Sequence, residues 1–287
     1  MTSRAIRRAD EILREIDLSI DPLWTERILI EFLRSEVRRT GLGAVVLGLS
    51  GGIDSALVAF LAARALGPKS VHAVMLPYRS SSPASLDDAL AVVDALEISA
   101  ERVDISAMVD GFVSAAGEPD ALRLGNVMAR CRMIVLYDRS AARRALVLGT
   151  SNKTELLLGY GTLHGDLASA INPIGDLYKA QVRTLSRHLG VPPAILDKPP
   201  SADLWPGQSD ERELGFSYDL ADRLLALLVD ARVGRETAVA AGFDPALVDE
   251  VTRRVVRSQF KRALPVIAKM STRSIGWDFR YPRDWKT

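Results

Sequence analysis

The stretch AVVLGLSGGIDSALVAFLAARAL, residues 44–66, decides the fold. It begins with an apolar run at 44–49 that is typical of a buried strand, and it continues into a segment where Leu57, Phe60 and Leu61 follow helical spacing. The glycine-rich turn between the two places backbone N–H groups at the start of a helix, where anions bind readily. The stretch therefore predicts a strand, a loop and a helix that together hold an anionic ligand.

Further short apolar runs follow along the chain: VHAVML at 71–76, RVDI at 102–105 and ALVLG at 145–149, with helical patterns in the gaps. Parallel strands need crossover connections, and the intervening helices supply them. We therefore predict an α/β fold, a doubly wound parallel sheet with helices on both faces. Ligands of such sheets bind beyond the carboxyl ends of the strands. The loops to inspect leave Leu49, Leu76, Ile105 and Gly149.

Extra helices flank the predicted sheet at both ends of the chain. Amphipathic patterns at about 3–16 and 22–40 predict N-terminal helices for packing or oligomerisation, and helical patterns continue to about residue 264. We expect one domain, which we divide into N-terminal helices at 1–40, a core at 41–190, and a loop, C-terminal helices and tail at 191–287.

Composition argues against several classes of partner. The 37 Lys and Arg residues balance 36 Asp and Glu residues, so a net charge of +1 gives no long-range attraction to nucleic acid or an anionic membrane. Cys131 is the single cysteine, which excludes an intramolecular disulfide and fits a reducing compartment. The N-terminus lacks the apolar core of a signal peptide. We expect a cytoplasmic protein with no nucleic-acid or membrane partner.

The turn SGGIDS at 50–55 has the composition of a phosphate cradle. Gly51 and Gly52 allow the backbone close to a phosphate, Ser50 and Ser55 add hydroxyl donors, and Asp54 is suited to Mg²⁺. No lysine follows the glycines, so this is not the loop that contacts β- and γ-phosphates in other nucleotide enzymes. The plainer interpretation is a tight turn with Asp54 as a helix cap. The complete string resembles the pyrophosphate loop of the N-type ATP pyrophosphatases, which adenylate a carbonyl oxygen.

Four longer motifs extend the resemblance to ammonia-dependent NAD synthetases. They are LGNVMARCRM at 124–133, LGTSNKTELLLGYGTLHGD at 148–166, NPIGDLYKAQV at 172–182 and KPPSADLWPGQSDERELGF at 198–216. The resemblance implies a Rossmann-like ATP pyrophosphatase core and a homodimer. It also implies that ATP and Mg²⁺ activate the nicotinate carboxylate of deamido-NAD as an adenylate, after which ammonia displaces AMP.

The resemblance carries roles to particular residues of this chain. Contacts to ATP are implied for Ser50, Gly51, Gly52, Asp54, Ser55, Arg132 and Thr150. Contacts to deamido-NAD are implied for Asp166, Lys179, Ser201 and Lys261. Asp54 and Glu155 are the implied Mg²⁺ ligands, and Asp54, Asp166 and Lys179 the implied catalytic residues.

Plainer roles stay open for several of these residues. Glu155 stands three residues after Asn152, which fits a capping box, and the two roles are compatible. Arg132 has the pattern of a solvated helix residue, and Asp166 that of a turn residue. Cys131 shares an apolar helix face, so we expect a buried core thiol rather than a nucleophile.

The chain departs from the family pattern on the acceptor side. Ala170 stands where many members have a second aspartate, and Phe260 stands in a histidine position. Nicotinate mononucleotide therefore stays open as an acceptor, as do a tRNA-modifying ATP pyrophosphatase and a non-catalytic nucleotide-binding module. No glutaminase domain is expected ahead of the cradle, which favours free ammonia as the nitrogen source.

Two polar segments beside the predicted site are candidates for ordering when ligands bind. They are RSSSPASLDD at 79–88 and the region 198–210. For the aromatic tail from Gly276, we favour packing on a partner subunit over closure of a lid.

Overall fold

The computed structural model describes residues 16–117, 119–201, 207–263 and 265–274. The helix expected at 3–16, except for Ile16, and the aromatic tail from Gly276 lie outside the described residues. The strands are β1 (Ala44–Gly48), β2 (Val71–Met75), β3 (Ser99–Arg102) and β4 (Ala145–Val147). The α-helices are α1 (Pro22–Arg39), α2 (Ile53–Leu66), α3 (Pro83–Leu96), α4 (Ser106–Ala116), α5 (Ala121–Arg143), α6 (Lys153–Leu158), α7 (Lys179–Leu189), α8 (Pro193–Leu196), α9 (Asp210–Leu214), α10 (Tyr218–Leu225), α11 (Arg235–Ala240) and α12 (Pro245–Arg257).

The four strands form one parallel sheet in the order β3-β2-β1-β4. The chain moves from β1 outward to β2 and β3, then returns to place β4 on the other side of β1. Adjacent crossovers therefore leave β1 in opposite directions, which opens a crevice at the carboxyl ends of β1 and β4. The loops after these two strands meet at that crevice.

Alternating side chains of the strands face two separate cores. Val45 and Leu47 of β1 pack into a core shared with α1, α2, α3 and α7, while Val46 faces a second core with α4 and α5. This alternation follows from the two-residue period of a strand. It confirms the predicted doubly wound sheet with helices on both faces. Cys131 is buried in the second core, as expected.

The position predicted for the third strand was wrong by about three residues. The strand spans Ser99–Arg102 at the edge of the sheet, with an exposed or half-exposed side chain at every position. A search for apolar runs passes over such a strand, because an edge strand can be polar. The apolar residues Val103 and Ile105 follow it and donate their N–H groups to the carbonyls of Met75 and Pro77.

A third core unites the C-terminal helices with α6. The side chains of Leu158, Tyr218, Leu224 and Val251 are buried in it, so α10 and α12 pack against the short helix that follows β4. This packing places the C-terminal helices beside the crevice. Across the described residues, no helix combines the length and apolarity that a membrane span requires.

The predicted helix at 22–40 is confirmed as α1, which begins after the N-cap Asp21, whose side chain accepts the Trp24 N–H. Leu33 and Val37 are buried against α2 and α7, as their spacing predicts. Phe32 is 39% exposed and lies outside that buried face.

The loop after β1 depends on Gly51. Its φ is +76°, a conformation that L side chains rarely adopt, and an added Cβ would lie 2.1 Å from the Ser85 carbonyl oxygen at the start of α3. The glycine therefore lets the loop pack closely against the start of α3.

We expect Gly51→Ala to destabilise the protein and weaken ATP binding, because it combines backbone strain of roughly 1–3 kcal/mol with a backbone clash. Gly43→Ala is the matched control, because Gly43 has an ordinary φ and nothing within 4 Å of an added Cβ. Thermal unfolding and calorimetric titration with ATP measure both effects. Equal melting temperatures and ATP affinities for the two variants would contradict this account of the loop.

Candidate active site

A cleft of about 470 Å³ opens at the carboxyl edge of the sheet. It is lined by the segments that leave β1, β2 and β4, together with parts of α3, α5, α7 and the segment after α8. Ten of the residues predicted for the site line it: Ser50, Gly52, Asp54, Ser55, Arg132, Thr150, Glu155, Asp166, Lys179 and Ser201. Gly51 lies behind the loop, against Ser85. The structure thus gathers residues from most of the chain into one cleft.

The hydroxyl groups of the SGGIDS loop hold the loop itself in shape. The Ser50 hydroxyl oxygen accepts the Gly52 N–H at 3.2 Å and lies 3.1 Å from the Ser55 hydroxyl oxygen. Ser55 donates its hydroxyl to the Gly52 carbonyl at 3.0 Å. Because α2 starts at Ile53, the first turn of this 14-residue helix faces the cleft and favours an anion there.

A lysine from α7 bridges two carboxylates beside this loop. Lys179 Nζ lies 2.5 Å from Asp54 Oδ2 and 3.2 Å from Glu155 Oε1. Asn152 ties the cluster together, since its Nδ2 donates to Asp54 Oδ1 at 2.9 Å. Asp54, which follows β1, and Glu155, which follows β4, therefore meet at a single cation, the ammonium of Lys179 at the start of α7.

Glu155 is placed so that helix capping and metal binding, the two roles considered from the sequence, are compatible. The predicted capping box with Asn152 is confirmed, because the Asn152 side chain accepts the Glu155 N–H at 3.0 Å and Glu155 Oε2 accepts the Asn152 N–H at 3.2 Å. The other carboxylate oxygen faces Lys179. Capping thus leaves one oxygen of Glu155 directed at the cluster.

Burial and mutual charge shift the proton affinities of this cluster. Burial, together with the negative charge of Asp54, raises the pKa of Glu155, and the charge of Lys179 opposes that rise. Burial alone would lower the pKa of Lys179, but the charges of Asp54 and Glu155 outweigh it and raise that pKa. The lysine is therefore a permanent cation in the cleft, and the carboxylates gain from any further cation that approaches them.

The two carboxylates fit a Mg²⁺ ion that a nucleotide brings with it. They lie close enough to share one ammonium group. Mg²⁺ commonly takes one or two carboxylates and completes its shell with phosphate oxygens and water. Within the described ranges there is no group of three or more His, Cys, Asp or Glu side chains suited to a metal. The donor set thus suits a metal held jointly with substrate phosphates.

Asp166 and Arg132 lie at another part of the cleft. Asp166 Oδ1 accepts the Thr162 N–H at 2.6 Å, and the side chain is exposed to the water of the cleft. Arg132 Nε donates to the Leu76 carbonyl at 3.0 Å, which fixes the guanidinium beside the end of β2.

Lys261 is placed behind the cleft rather than on its lining. Its ammonium donates to the carbonyls of Gly159 and Gly161, at 2.7 Å each. It therefore secures the loop that leads to Asp166, and its contact with deamido-NAD stays a prediction. Neither Ala170 nor Phe260, the two departures from the family pattern, is among the lining residues of the described chain.

Sequence reasoning missed several polar residues of the cleft. Lys198 is the first residue of the motif at 198–216. Its Nζ lies 2.8 Å from Asp88 Oδ2 and 3.1 Å from Ser85 Oγ. This contact joins the two segments expected to order when ligands bind, an expectation that stays a prediction. The other missed lining residues include Tyr160, Arg183 and Asp210. Tyr160 and Asp210 stand within the quoted motifs at 148–166 and 198–216, which could have indicated them, whereas Arg183 follows the motif at 172–182 and has no such signal.

Known proteins resemble this chain closely in sequence. The sequence model of the NAD synthase family matches residues 25–265. The chain is 56% identical over 270 residues to an NH(3)-dependent NAD(+) synthetase of Chlorobaculum tepidum, an alignment that covers 94% of this chain and 98% of that protein.

Solved structures give the same relationship. An NMN synthetase from Francisella tularensis matches with a TM-score of 0.78 and 32% identity, and an NH3-dependent NAD synthetase from Campylobacter jejuni with 0.75 and 36%; each match covers 88% of this chain and 100% of the other. A glutamine-dependent NAD+ synthetase from Acinetobacter baumannii matches with 0.67 and 29%, over 93% of this chain but 51% of that one. On these similarities in sequence and structure, this chain belongs to the NAD synthase family.

Proposed function

We propose that this protein is a ligase that converts deamido-NAD to NAD, using ATP, Mg²⁺ and ammonia. The observation that carries the proposal is the meeting of the SGGIDS loop with Asp54, Lys179 and Glu155 in one cleft. A phosphate cradle beside a cation and a pair of carboxylates suits cleavage of ATP. The nitrogen donor and the product are those of the NH3-dependent NAD synthetases that this chain resembles.

The reaction has two steps. In the first, a carboxylate oxygen of deamido-NAD attacks the α-phosphorus of ATP, the bond to the bridging oxygen breaks, and pyrophosphate leaves. In the second, ammonia attacks the carbonyl carbon of the adenylate, the carbon–oxygen bond breaks, and AMP leaves with that oxygen. The nitrogen loses a proton to become the amide of NAD.

The first step must bring two anions together, so the protein must supply positive charge in a fixed geometry. We assign the pyrophosphate end of ATP to the N–H groups and hydroxyls of the loop, from Ser50 to Ser55. Lys179 and Arg132 supply positive charge to the α-phosphate, and Thr150 adds a contact to ATP. This assignment is supported by the position of Lys179, Arg132 and Thr150 on the same cleft lining as the loop.

We assign Mg²⁺ to Asp54 and Glu155, with ATP oxygens completing its shell. When bound, the ion neutralises phosphate charge and orients the pyrophosphate for departure. Lys179 then holds the two carboxylates at their places and keeps a positive charge next to the reacting phosphate. The support is the convergence of both carboxylates on a single ammonium group.

We assign the acceptor end of the cleft to Asp166 and Ser201. Asp166 presents a carboxylate on the cleft lining, and a carboxylate there suits removal of a proton as nitrogen attacks. Lys261 contributes from behind by fixing the loop that carries Asp166, through the carbonyls of Gly159 and Gly161.

We place the enzyme in the cytoplasm. Its single cysteine is buried and has no partner for an intramolecular disulfide, which suits a reducing compartment. Targeting of a fluorescent fusion of the full chain would test this location.

We propose that the enzyme is a homodimer that uses the exposed side of α1. Trp24, Ile28 and Phe32 recur every four residues on that helix and are 60%, 64% and 39% exposed. Apolar patches of this kind mark interaction surfaces.

Sedimentation equilibrium of the wild type should give twice the 31.3 kDa mass of one chain, and Ile28→Asp should give the mass of a single chain. Val256→Asp, at a residue 67% exposed on α12, should stay dimeric. A monomeric wild type, or a dimeric Ile28→Asp variant, would contradict the proposal.

Purified protein supplied with deamido-NAD, ATP, Mg²⁺ and ammonium should form NAD and AMP in equal amounts. Glutamine in place of ammonium should give no turnover, because two relatives that match this chain along nearly their whole length are named as NH3-dependent. Nicotinate mononucleotide is run in parallel as acceptor. Turnover with the mononucleotide alone would support the adenylation chemistry but identify nicotinate mononucleotide, not deamido-NAD, as the acceptor. Absence of turnover with both acceptors would contradict the proposal.

Lys179→Met tests whether the activity belongs to this cleft. Removing a cation aimed at developing charge should lower kcat by about 10²–10³-fold. Lys69→Met is the matched control, because Lys69 is exposed and lies off the cleft lining. This control should keep wild-type kcat.

A further inference from the structure

Asp222 on α10 has no exposed surface (0%), yet both of its carboxylate oxygens have a donor. Oδ1 accepts the hydroxyl of Thr154 at 2.5 Å, and Oδ2 accepts the Ala180 N–H at 2.8 Å. The Thr154 hydroxyl oxygen accepts in turn the Lys179 N–H at 3.1 Å. A buried carboxylate is tolerated only when it is hydrogen-bonded in this way.

The donors to Asp222 are sequence neighbours of the charged cluster. Thr154 precedes Glu155 in α6, and Ala180 follows Lys179 in α7. The Asp222 side chain therefore joins the first turns of the two helices. It stands 42 residues after Ala180 and 68 residues after Thr154 in the sequence. These helices carry two of the three charges that meet in the cleft.

The start of α7 depends on these contacts. Its N-cap residue, Tyr178, donates its N–H to Gln181 Oε1 and its hydroxyl to Asp230, both at 2.9 Å. The first two N–H groups of the helix, at Lys179 and Ala180, have no partner within a helix and need one from outside. Thr154 and Asp222 supply them, so the position of α7 is set by side chains distant in sequence.

We propose that Asp222 is a positioning residue for adenylation, which sets the ammonium of Lys179 in register with Glu155 and Asp54. The proposal rests on the function proposed above, in which that ammonium supplies charge to the reacting phosphate. Asp222 itself does not line the cleft and reaches the cluster only through Thr154 and the backbone of α7. Its effect is therefore on the geometry of the cluster.

Asp222→Asn is the first test, because the amide keeps the shape of the side chain but has one acceptor oxygen in place of two. We expect kcat to fall by about 100-fold, as a misplacement of about 1 Å can produce. KM for ATP should change much less than kcat, because Ser50, Gly52 and Ser55 hold the SGGIDS loop through contacts that do not involve α7. Thr154→Val should give the same loss, Thr154→Ser should keep wild-type kcat, and the double variant Asp222→Asn/Thr154→Val should lose no more than either single change.

A control for general destabilisation separates positioning from stability. Val248 is fully buried in α12 and lies off the cleft lining, so Val248→Ala should lower the melting temperature and keep wild-type kcat below it. Asp222→Asn and Thr154→Val would overturn the proposal if they behaved like Val248→Ala. Such a result would assign Asp222 to stability alone.

Crystal structures of the variants separate this proposal from the function on which it rests. A wild-type protein without NAD-forming activity would contradict the proposed function. The separation of 3.2 Å between Lys179 Nζ and Glu155 would still be measurable in Asp222→Asn and Thr154→Val. A displaced lysine supports the positioning role, and an unchanged separation in both variants overturns it.

Discussion

The ammonium of Lys179, shared between Asp54 and Glu155, is the interaction on which the rest of the site depends. Lys179 is only 2% exposed, and a buried ammonium group costs several kcal/mol unless opposite charges and hydrogen bonds surround it. Two carboxylates meet that need here, and the cation in turn lets two negative groups approach each other. Removing the lysine would leave an uncompensated pair of carboxylates. The three groups therefore exist as a unit, although they stand far apart in the chain.

The order of the strands explains how this unit is assembled. β4 returns to lie beside β1, so the loop that carries Asp54 and the loop that leads to Glu155 leave the sheet side by side. The C-terminal helices then close the arrangement from a third direction, because Asp222 reaches the beginnings of both α6 and α7. The order of the strands thus brings the SGGIDS loop and its charged partners to one crevice.

Features encoded within a short segment could be predicted from the sequence. The strand, turn and helix around SGGIDS, the helix α1 and the capping box between Asn152 and Glu155 all follow from local spacing, and all are confirmed. Contacts between distant segments could not be predicted this way. Nothing around Asn152 indicates that its amide reaches Asp54, nor does anything local show that Asp222 caps a helix 42 residues earlier. The polar edge strand was misplaced because its residues carry no apolar signal. Ten of the twelve residues that the family resemblance implied for the site line the cleft, but the resemblance gave no indication that Lys261 lies off that lining.

The central claim is that this cleft adenylates a carboxylate. The most direct test of that claim is to follow the transfer of oxygen from the acceptor to AMP. Deamido-NAD labelled with oxygen-18 in its carboxylate is incubated with the enzyme, ATP, Mg²⁺ and ammonium, and the masses of the products are measured by mass spectrometry. The account predicts one labelled oxygen in each AMP and none in pyrophosphate, because the oxygen that attacks the α-phosphorus leaves with AMP. Unlabelled AMP, or label in pyrophosphate or phosphate, would contradict it.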